Sequence, residues 1–386
     1  MDLTSSAELA AFGKEVDHFL AGEWAPAKAD DAGAVADFLS KGIAKGFLYR
    51  SVPRRYGGSE QPQDLFREQI VARKFAEAEA PRRSPGVGAP LLIPTLLAHG
   101  REWQRERFIP PIVRGDELWA QGYSEPGAGS DLASLTTRAD LRGGRWHIDG
   151  RKIWSSGADR ARFMFALVRT EAEAGRGGIS YLLLDLQQPG VRVRPIRQIN
   201  GAASFCEVEF TDAVTPADWI IGGRGEGWAV STTTLTHERN FVGSAVELRA
   251  LFADLIRLAR GAPLSGAPLA DPIIRRRLAA LEGRIEAHDA SNLHQITLAT
   301  EGRSPGRLGL LNKLSATSIV QEVWSIAAEM LGEAAGSLPQ RESTGPRSAA
   351  QWAEFGMRAM SRSIAGGTSN IQRDIIARRG LGLPQP

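Results

Sequence analysis

The chain has 386 residues, 42% of them hydrophobic and 24% charged, which is enough for several packed layers and too apolar for a disordered chain. Its 47 basic and 44 acidic residues nearly cancel to a net charge of +3, and the basic ones, mostly arginine, are spread along the chain rather than clustered as on a nucleic-acid surface. No apolar run approaches the ~18–20 residues that span a bilayer. The opening "MDLTSSAELAAFGKEVDHFL" lacks the basic and apolar regions of a secretory signal, so a cytoplasmic protein is expected.

Helical signals dominate residues 1–118. Ser5 and Glu8 have capping-box spacing ahead of an apolar run. "PQDLFREQIVARKFAEAEA" and "LLIPTLLAHGREWQRERFIPPIV" repeat apolar residues every three to four positions, separated by the turn-rich "YGGSEQP" and "APRRSPGVGAP".

From 119 to 225 the period shortens. "GRWHIDGRKIW" places an Asp-Gly pair between alternating residues and predicts a hairpin turn there. "ARFMFALVRT", "GISYLLLDL", "VRVRPIRQI" and "CEVEFTDAV" read as further strands of a small antiparallel β-domain. The single cysteine, Cys206, excludes an internal disulfide and a cysteine-based metal cluster, and its alternating surroundings predict a small packed side chain.

Helices return for residues 226–386, with Val320, Val323, Ala327 and Met330 on one face of "LNKLSATSIVQEVWSIAAEMLG", and suggest a bundle. The expected fold class is α+β: an N-terminal helical domain, a central antiparallel β-domain and a C-terminal helical bundle.

The six histidines never stand in metal-binding pairs; His288 and His294, six apart on a helix, read as surface residues, and no metal is expected. A serine-hydrolase elbow, a Walker P-loop and a dinucleotide-binding glycine fingerprint are not found. What remains is the loop "YSEPGAGSDLASLTTRADLRGGRW", where Gly127 and Gly129 let backbone approach a ligand and the Ser124 and Ser130 hydroxyls can donate to its oxygens. An ordinary polar turn has the same composition.

"YSEPGAGSDLASL", "GRKIWSSGA" and "GGTSNIQRDIIARRGLGLP", together with "PRRYGG" and "PTLLAHGREWQRERFIPPIVRGDELWAQG", resemble the acyl-CoA dehydrogenase family over nearly the whole chain. The resemblance implies a flavoenzyme with FAD held between the β-domain and the C-terminal bundle. Tyr123 and Ser124 match positions lining the isoalloxazine, Trp154 an aromatic packed on the flavin, and Ser156 a hydroxyl near flavin N5. Thr368 and Asn370 match contacts to the FAD diphosphate and ribose region, and Ser130 matches the serine at the acyl-CoA thioester arm. The chemistry implied is α,β-desaturation of an acyl-CoA: a carboxylate removes the Cα proton while flavin N5 accepts the β-hydrogen as hydride.

In many relatives that carboxylate directly precedes the second glycine of the closing motif, where this chain has Gly366. A subset of the family carries it on the first long helix after the β-domain, ahead of an arginine, and "LTHERNFVG" places Glu238 and Arg239 at that point. The other readings are a catalytically silent subunit of a heteromeric pair, or an oxidase or monooxygenase on the same fold. The family's R-x-x-F-G contact to FAD from a neighbouring subunit is absent, leaving Arg303, Arg307 and Lys313 as candidate replacements. Electron-transfer flavoprotein as acceptor, a homodimer, homotetramer or heterotetramer with a sibling chain, and bulky or branched acyl groups including sterol side chains follow from the resemblance as expectations.

Overall fold

The structure, a computed structural model, describes residues 6–172, 175–242, 245–261, 267–304, 306, 308–336 and 347–384, with the side chains of Lys28 and of residues 239–242 excepted. Contacts divide the chain into two units: Met1–Gln63, Ala78–Gln198 and Ala202–Glu238 in the first, and Asp64–Glu77, Ile199–Gly201 and Arg239–Pro386 in the second.

The first unit contains the helices α1 (Ala7–Glu23) and α2 (Ala32–Ala44), whereas α3 (Leu65–Glu77) belongs to the second; α4 (Ile93–His99) and α5 (Glu102–Arg114) return to the first. The expected cap Ser5 lies outside the described residues. Ser6 caps α1 instead, its hydroxyl accepting from the Leu9 N–H at 3.2 Å.

Eight strands follow: β1 (Trp119–Gly122), β2 (Arg138–Arg142), β3 (Arg145–Ser156), β4 (Phe163–Arg169), β5 (Ile179–Asp185), β6 (Val191–Ile196), β7 (Phe205–Pro216) and β8 (Ile220–Ile221). They form one sheet in the order β6-β7-β3-β2-β4-β5-β8, with β1 added beside β4. Pairing is antiparallel except that β1 runs parallel to β4 and β2 meets β4 at one parallel pair, Arg138 with Arg169. The apolar runs of β4 and β5 show no alternation because both faces are covered. Phe163, Phe165 and Leu167 pack with Leu96, Phe108 and Ile112 on one side, while Met164, Ala166 and Val168 pack with Ile148, Leu182 and Val208 on the other. Cys206 is fully buried in that second cluster, as its alternating context predicts.

The expected turn at Asp149-Gly150 does not form. β3 runs straight through that pair, and the reversal lies between β2 and β3 at Gly143 and Gly144, both with positive φ. Gly150 instead marks a register shift against β7, with φ of 147°. Its bare Cα lies where a Cβ would come within 2.6 Å of the Thr137 Cα. Both a tight turn and a bulge select glycine, so the dipeptide alone did not separate them.

α6 (Gly227–Val242) begins the return to helix. The second unit is built on α7 (Ala245–Gly261), α8 (Pro272–Thr300), α9 (Leu308–Leu331), α10 (Ala349–Ser361) and the short α11 (Ser369–Ile375). The expected face of α9 is its core face: Val320, Val323, Ala327 and Met330 are all buried. His288 departs from expectation. It is only 4% exposed because it extends the Leu278, Leu281, Ile285 stripe of α8, with Nδ1 3.2 Å from the Ser315 hydroxyl. Among the described residues no group of His, Cys, Asp and Glu could hold a metal, and no helix is long and apolar enough to cross a membrane.

Gly150→Ala is expected to destabilise the first unit by about 1–3 kcal/mol, through overpacking on Thr137 and backbone strain. Chemical denaturation reads this as a lowered midpoint at unchanged slope.

Candidate active site

The loop after β1 is anchored by two buried charges. Lys152 on β3 is 0% exposed, and its Nζ donates to Glu125 Oε1 at 2.7 Å and to the Tyr123 carbonyl at 3.2 Å. Glu125 also accepts from the Thr136 N–H and hydroxyl and from the Thr137 N–H at 2.7–2.9 Å. Burial alone pushes the Glu125 carboxyl up, but the Lys152 charge and these donors outweigh it and hold it down at about 2. Burial likewise pushes Lys152 down to about 8, against the pull of Glu125. The Glu125 and Ala128 backbones also bond each other at 2.9 and 3.1 Å, closing the turn. Gly127, Gly129 and Ser130 are left exposed, with open space around both glycines.

The same lysine ties this loop to a second predicted segment. β3 slips register against β7 between Lys152 and Ser155, and the Ile153 N–H turns to the Ser124 carbonyl at 2.9 Å. Within this bulge Trp154 has φ of 62° and is 56% exposed, touching the Phe205 ring edge-on with centroids 6.2 Å apart. A bulky residue in the left-handed region costs about 1–3 kcal/mol and persists only where surroundings enforce it. Ser156 beside it is exposed, while Ser155 is buried with no hydrogen bond to its hydroxyl among the described residues.

Tyr123 turns inward, packing edge-on against Phe165 and Tyr181 at 6.0 and 6.1 Å. The Tyr181 and Thr234 hydroxyls border its own, but at a geometry short of a hydrogen bond. Burial pushes this phenol well up, and the Glu238 charge adds to the effect. Glu238 lies one helical turn beyond Thr234 on α6, half-buried, and Gln121 Nε2 of β1 donates to its Oε2 at 3.3 Å. Thr234 is buried against α4, with the Thr95 and Thr234 hydroxyls 2.8 Å apart. The Arg239 side chain lies outside the described residues.

In the second unit, Gly366 and Gly367 have φ of 65° and 87° and lead into α11. The Thr368 hydroxyl caps that helix by accepting from the Ile371 N–H at 3.1 Å, and the exposed Asn370 accepts from Arg373 at 3.1 Å. Lys313 of α9 is buried and donates to the Gly367 carbonyl at 2.7 Å, with burial lowering its proton affinity. Arg303 is exposed and paired with Glu301 at 2.9 Å; Arg307 lies outside the described residues.

Three family models match the chain in register: the acyl-CoA dehydrogenase N-terminal domain over residues 6–116, the middle domain over 120–213 and the C-terminal domain over 225–381. The acyl-CoA dehydrogenase IpdE1 of Mycobacterium tuberculosis is 40% identical over 350 residues, 89% of this chain and 86% of its own. The chain belongs to the acyl-CoA dehydrogenase family. Among solved structures, the Tcur3481-Tcur3483 steroid ACAD superposes with a TM-score of 0.83 at 29% identity, covering 100% of both chains. The ChsE4-ChsE5 complex from Mycobacterium tuberculosis does so with 0.82 at 26% identity, again covering 100% of both.

As an acyl-CoA dehydrogenase the protein is a FAD-dependent oxidoreductase. Its residues fit a flavin: the exposed indole, held at strained φ, offers a flat apolar face, and the exposed Ser156 hydroxyl offers a polar edge next to it. In the first unit the structure brings together the Tyr123–Ser124 and Trp154–Ser156 segments, and it sets Gln121 and Tyr123 against Glu238. Sequence reasoning missed Glu125, Lys152 and Gln121. Lys152 stands two positions before Trp154 in a strand, where alternation places one face inward, and that is the one signal that could have marked it.

Removing either charge of the pair is expected to cost about 3–5 kcal/mol, whereas the Glu125→Gln/Lys152→Met double variant loses less than the sum. Because the Glu125 carboxyl titrates at about 2 rather than 4.5, its stabilisation is complete above pH 4.5 and drains away as pH falls towards 2. Urea midpoints at pH 3 and pH 6 should therefore converge in Glu125→Gln relative to wild type.

Proposed function

We propose that the protein desaturates an acyl-CoA thioester between Cα and Cβ, with Glu238 as the base. The observation that carries this reading is the pairing of an absence with a presence: position 366 is glycine, and a carboxylate stands on α6 with one oxygen held by a strand amide. Glu238 takes the Cα proton, and the electron pair left behind spreads onto the thioester carbonyl as an enolate. Bound FAD supplies the acceptor for the β-hydrogen.

In this reading Ser130 approaches the thioester arm, and Arg239 supports the carboxylate. Trp154 and Ser156 present the face and polar edge that meet the cofactor ring. Tyr123 and Ser124 contribute there through backbone and hydroxyl, since the Tyr123 ring is committed to the interior. Thr368 and Asn370 serve the diphosphate and ribose region, at the start of a helix whose N–H groups favour anions. In this reading the chain comprises three domains, residues 1–118, 119–225 and 226–386.

The acyl group is bulky, of the sterol-derived class. Support comes from relatives named as a steroid ACAD and from the cyclohexane-1-carbonyl-CoA dehydrogenase of Geobacter metallireducens, 28% identical over 74% of this chain. The chain works with a sibling chain and passes its electrons to an electron-transfer flavoprotein. The two-component makeup of the Tcur3481-Tcur3483 and ChsE4-ChsE5 assemblies favours the sibling partner.

Anaerobic bleaching of the flavin on mixing with straight, branched and cyclic acyl-CoAs tests the reading. Wild type should bleach with at least one ring-bearing thioester. Glu238→Gln should bind FAD normally and bleach at least 10³-fold more slowly, in line with loss of a positioned base. A variant that bleaches at the wild-type rate removes Glu238 from the mechanism.

A further inference from the structure

The carboxylate proposed as base is held by a residue that no family match assigns a role. β1 alternates, so Gln121 and Tyr123 project on the same side of the strand. On that side they meet α6: the Gln121 amide donates to Glu238 Oε2 at 3.3 Å, and the Tyr123 phenol lies within the field of the same carboxylate. β1 itself cannot shift easily. Its four residues pair with Phe163–Ala166 of β4, and a Cβ at Gly122 would come within 2.4 Å of the Met164 sulfur. α6 is also held by α4, whose Thr95 and His99 reach the Thr234 and Thr233 hydroxyls, each at 2.8 Å.

We infer that Gln121 is a positioning residue of Glu238, its amide holding the Oε2 side of the carboxylate in a fixed direction. The inference rests on the reading of Glu238 as base. An N–H donor stabilises the carboxylate over the carboxylic acid, which opposes the rise in proton affinity that a dry site imposes. Gln121 therefore sets both the direction of the base and the pH at which it becomes competent. A neutral amide does this without bringing a charge of its own.

The ionisable groups on the elements around this stretch of α6 include Tyr123 just past β1, Tyr181 of β5, His99 of α4 and, on α6 itself, His237 and Arg239, the last with its side chain outside the described residues. Burial pushes both phenols up, out of the range where a carboxylate titrates, and pushes His237 down. His99 is held against the Thr233 hydroxyl.

The test is the pH dependence of anaerobic flavin reduction in the holoenzyme. The probe is whichever of butyryl-, octanoyl-, isobutyryl- and cyclohexanecarbonyl-CoA bleaches wild type fastest. Gln121→Leu removes the donor at similar volume, and its acid limb should move up by about one pH unit, so that the rate below the limb falls about tenfold. Gln121→Glu places a like charge beside the base and should move the limb further in the same direction; it also serves if the leucine variant folds poorly. FAD content and melting temperature should stay at wild-type values. A limb that stays in place in both variants, with Glu238→Gln inactive, overturns the role of Gln121 and leaves the base intact. An active Glu238→Gln overturns the base and this inference with it.

Discussion

Two opposite charges withdrawn from water, Glu125 and Lys152, hold the first unit's functional segments in place. Burying such a pair is costly, and an apolar pair of equal volume would often serve stability as well. What an apolar pair could not do is satisfy the backbone around it. The Glu125 carboxylate receives two N–H groups and a hydroxyl from Thr136 and Thr137, and the Lys152 ammonium caps the Tyr123 carbonyl. A chain that leaves a strand, turns sharply and returns must place these polar groups somewhere, and here a single ion pair collects them. The pair organises a loop more than it strengthens a fold.

The strain at Trp154 follows from that arrangement. A tryptophan in the left-handed region relaxes unless its flanks are fixed, and both flanks here are. Lys152 is locked into the ion pair, Ile153 donates to the Ser124 carbonyl, and Ser155 and Ser156 rejoin the ladder opposite Cys206 and Phe205. The indole is thereby lifted out of the sheet rather than folded onto it. An exposed, oriented aromatic face is the product, and the loop and the bulge that create it share one lysine.

Much of this was legible in the sequence where the signal is local. The helical period of α9, the apolar runs of β4 and β5, and the burial of Cys206 all follow from neighbours within a few residues. Local signals failed where two structures ask for the same residue. Asp149-Gly150 satisfies a turn and a bulge equally, and the true reversal used Gly143 and Gly144. They failed too where a polar side chain completes an apolar stripe, as His288 does on α8. The site motifs were legible through resemblance, but Glu125, Lys152 and Gln121 were not. A charged or amide side chain reads as solvated until its partner is known, and these partners lie between 27 and 117 positions away.

That distance bears on where a catalytic carboxylate can be carried. At position 366 it would hang from a residue with φ of 65°, between the turn that follows α10 and a second left-handed glycine, a conformation that side-chain-bearing residues resist. The carboxylate proposed as base, Glu238, hangs from a helix whose preceding turns contain the buried Val230, Ser231 and Thr234. Rigid elements place a reacting group more closely than turns do. The Glu238 carboxylate on that helix also accepts from an amide of a neighbouring strand, Gln121 Nε2, at 3.3 Å. The proposed reading thus asks for a partner outside the helix, and β1, paired along its length with β4, is an element stiff enough to supply one.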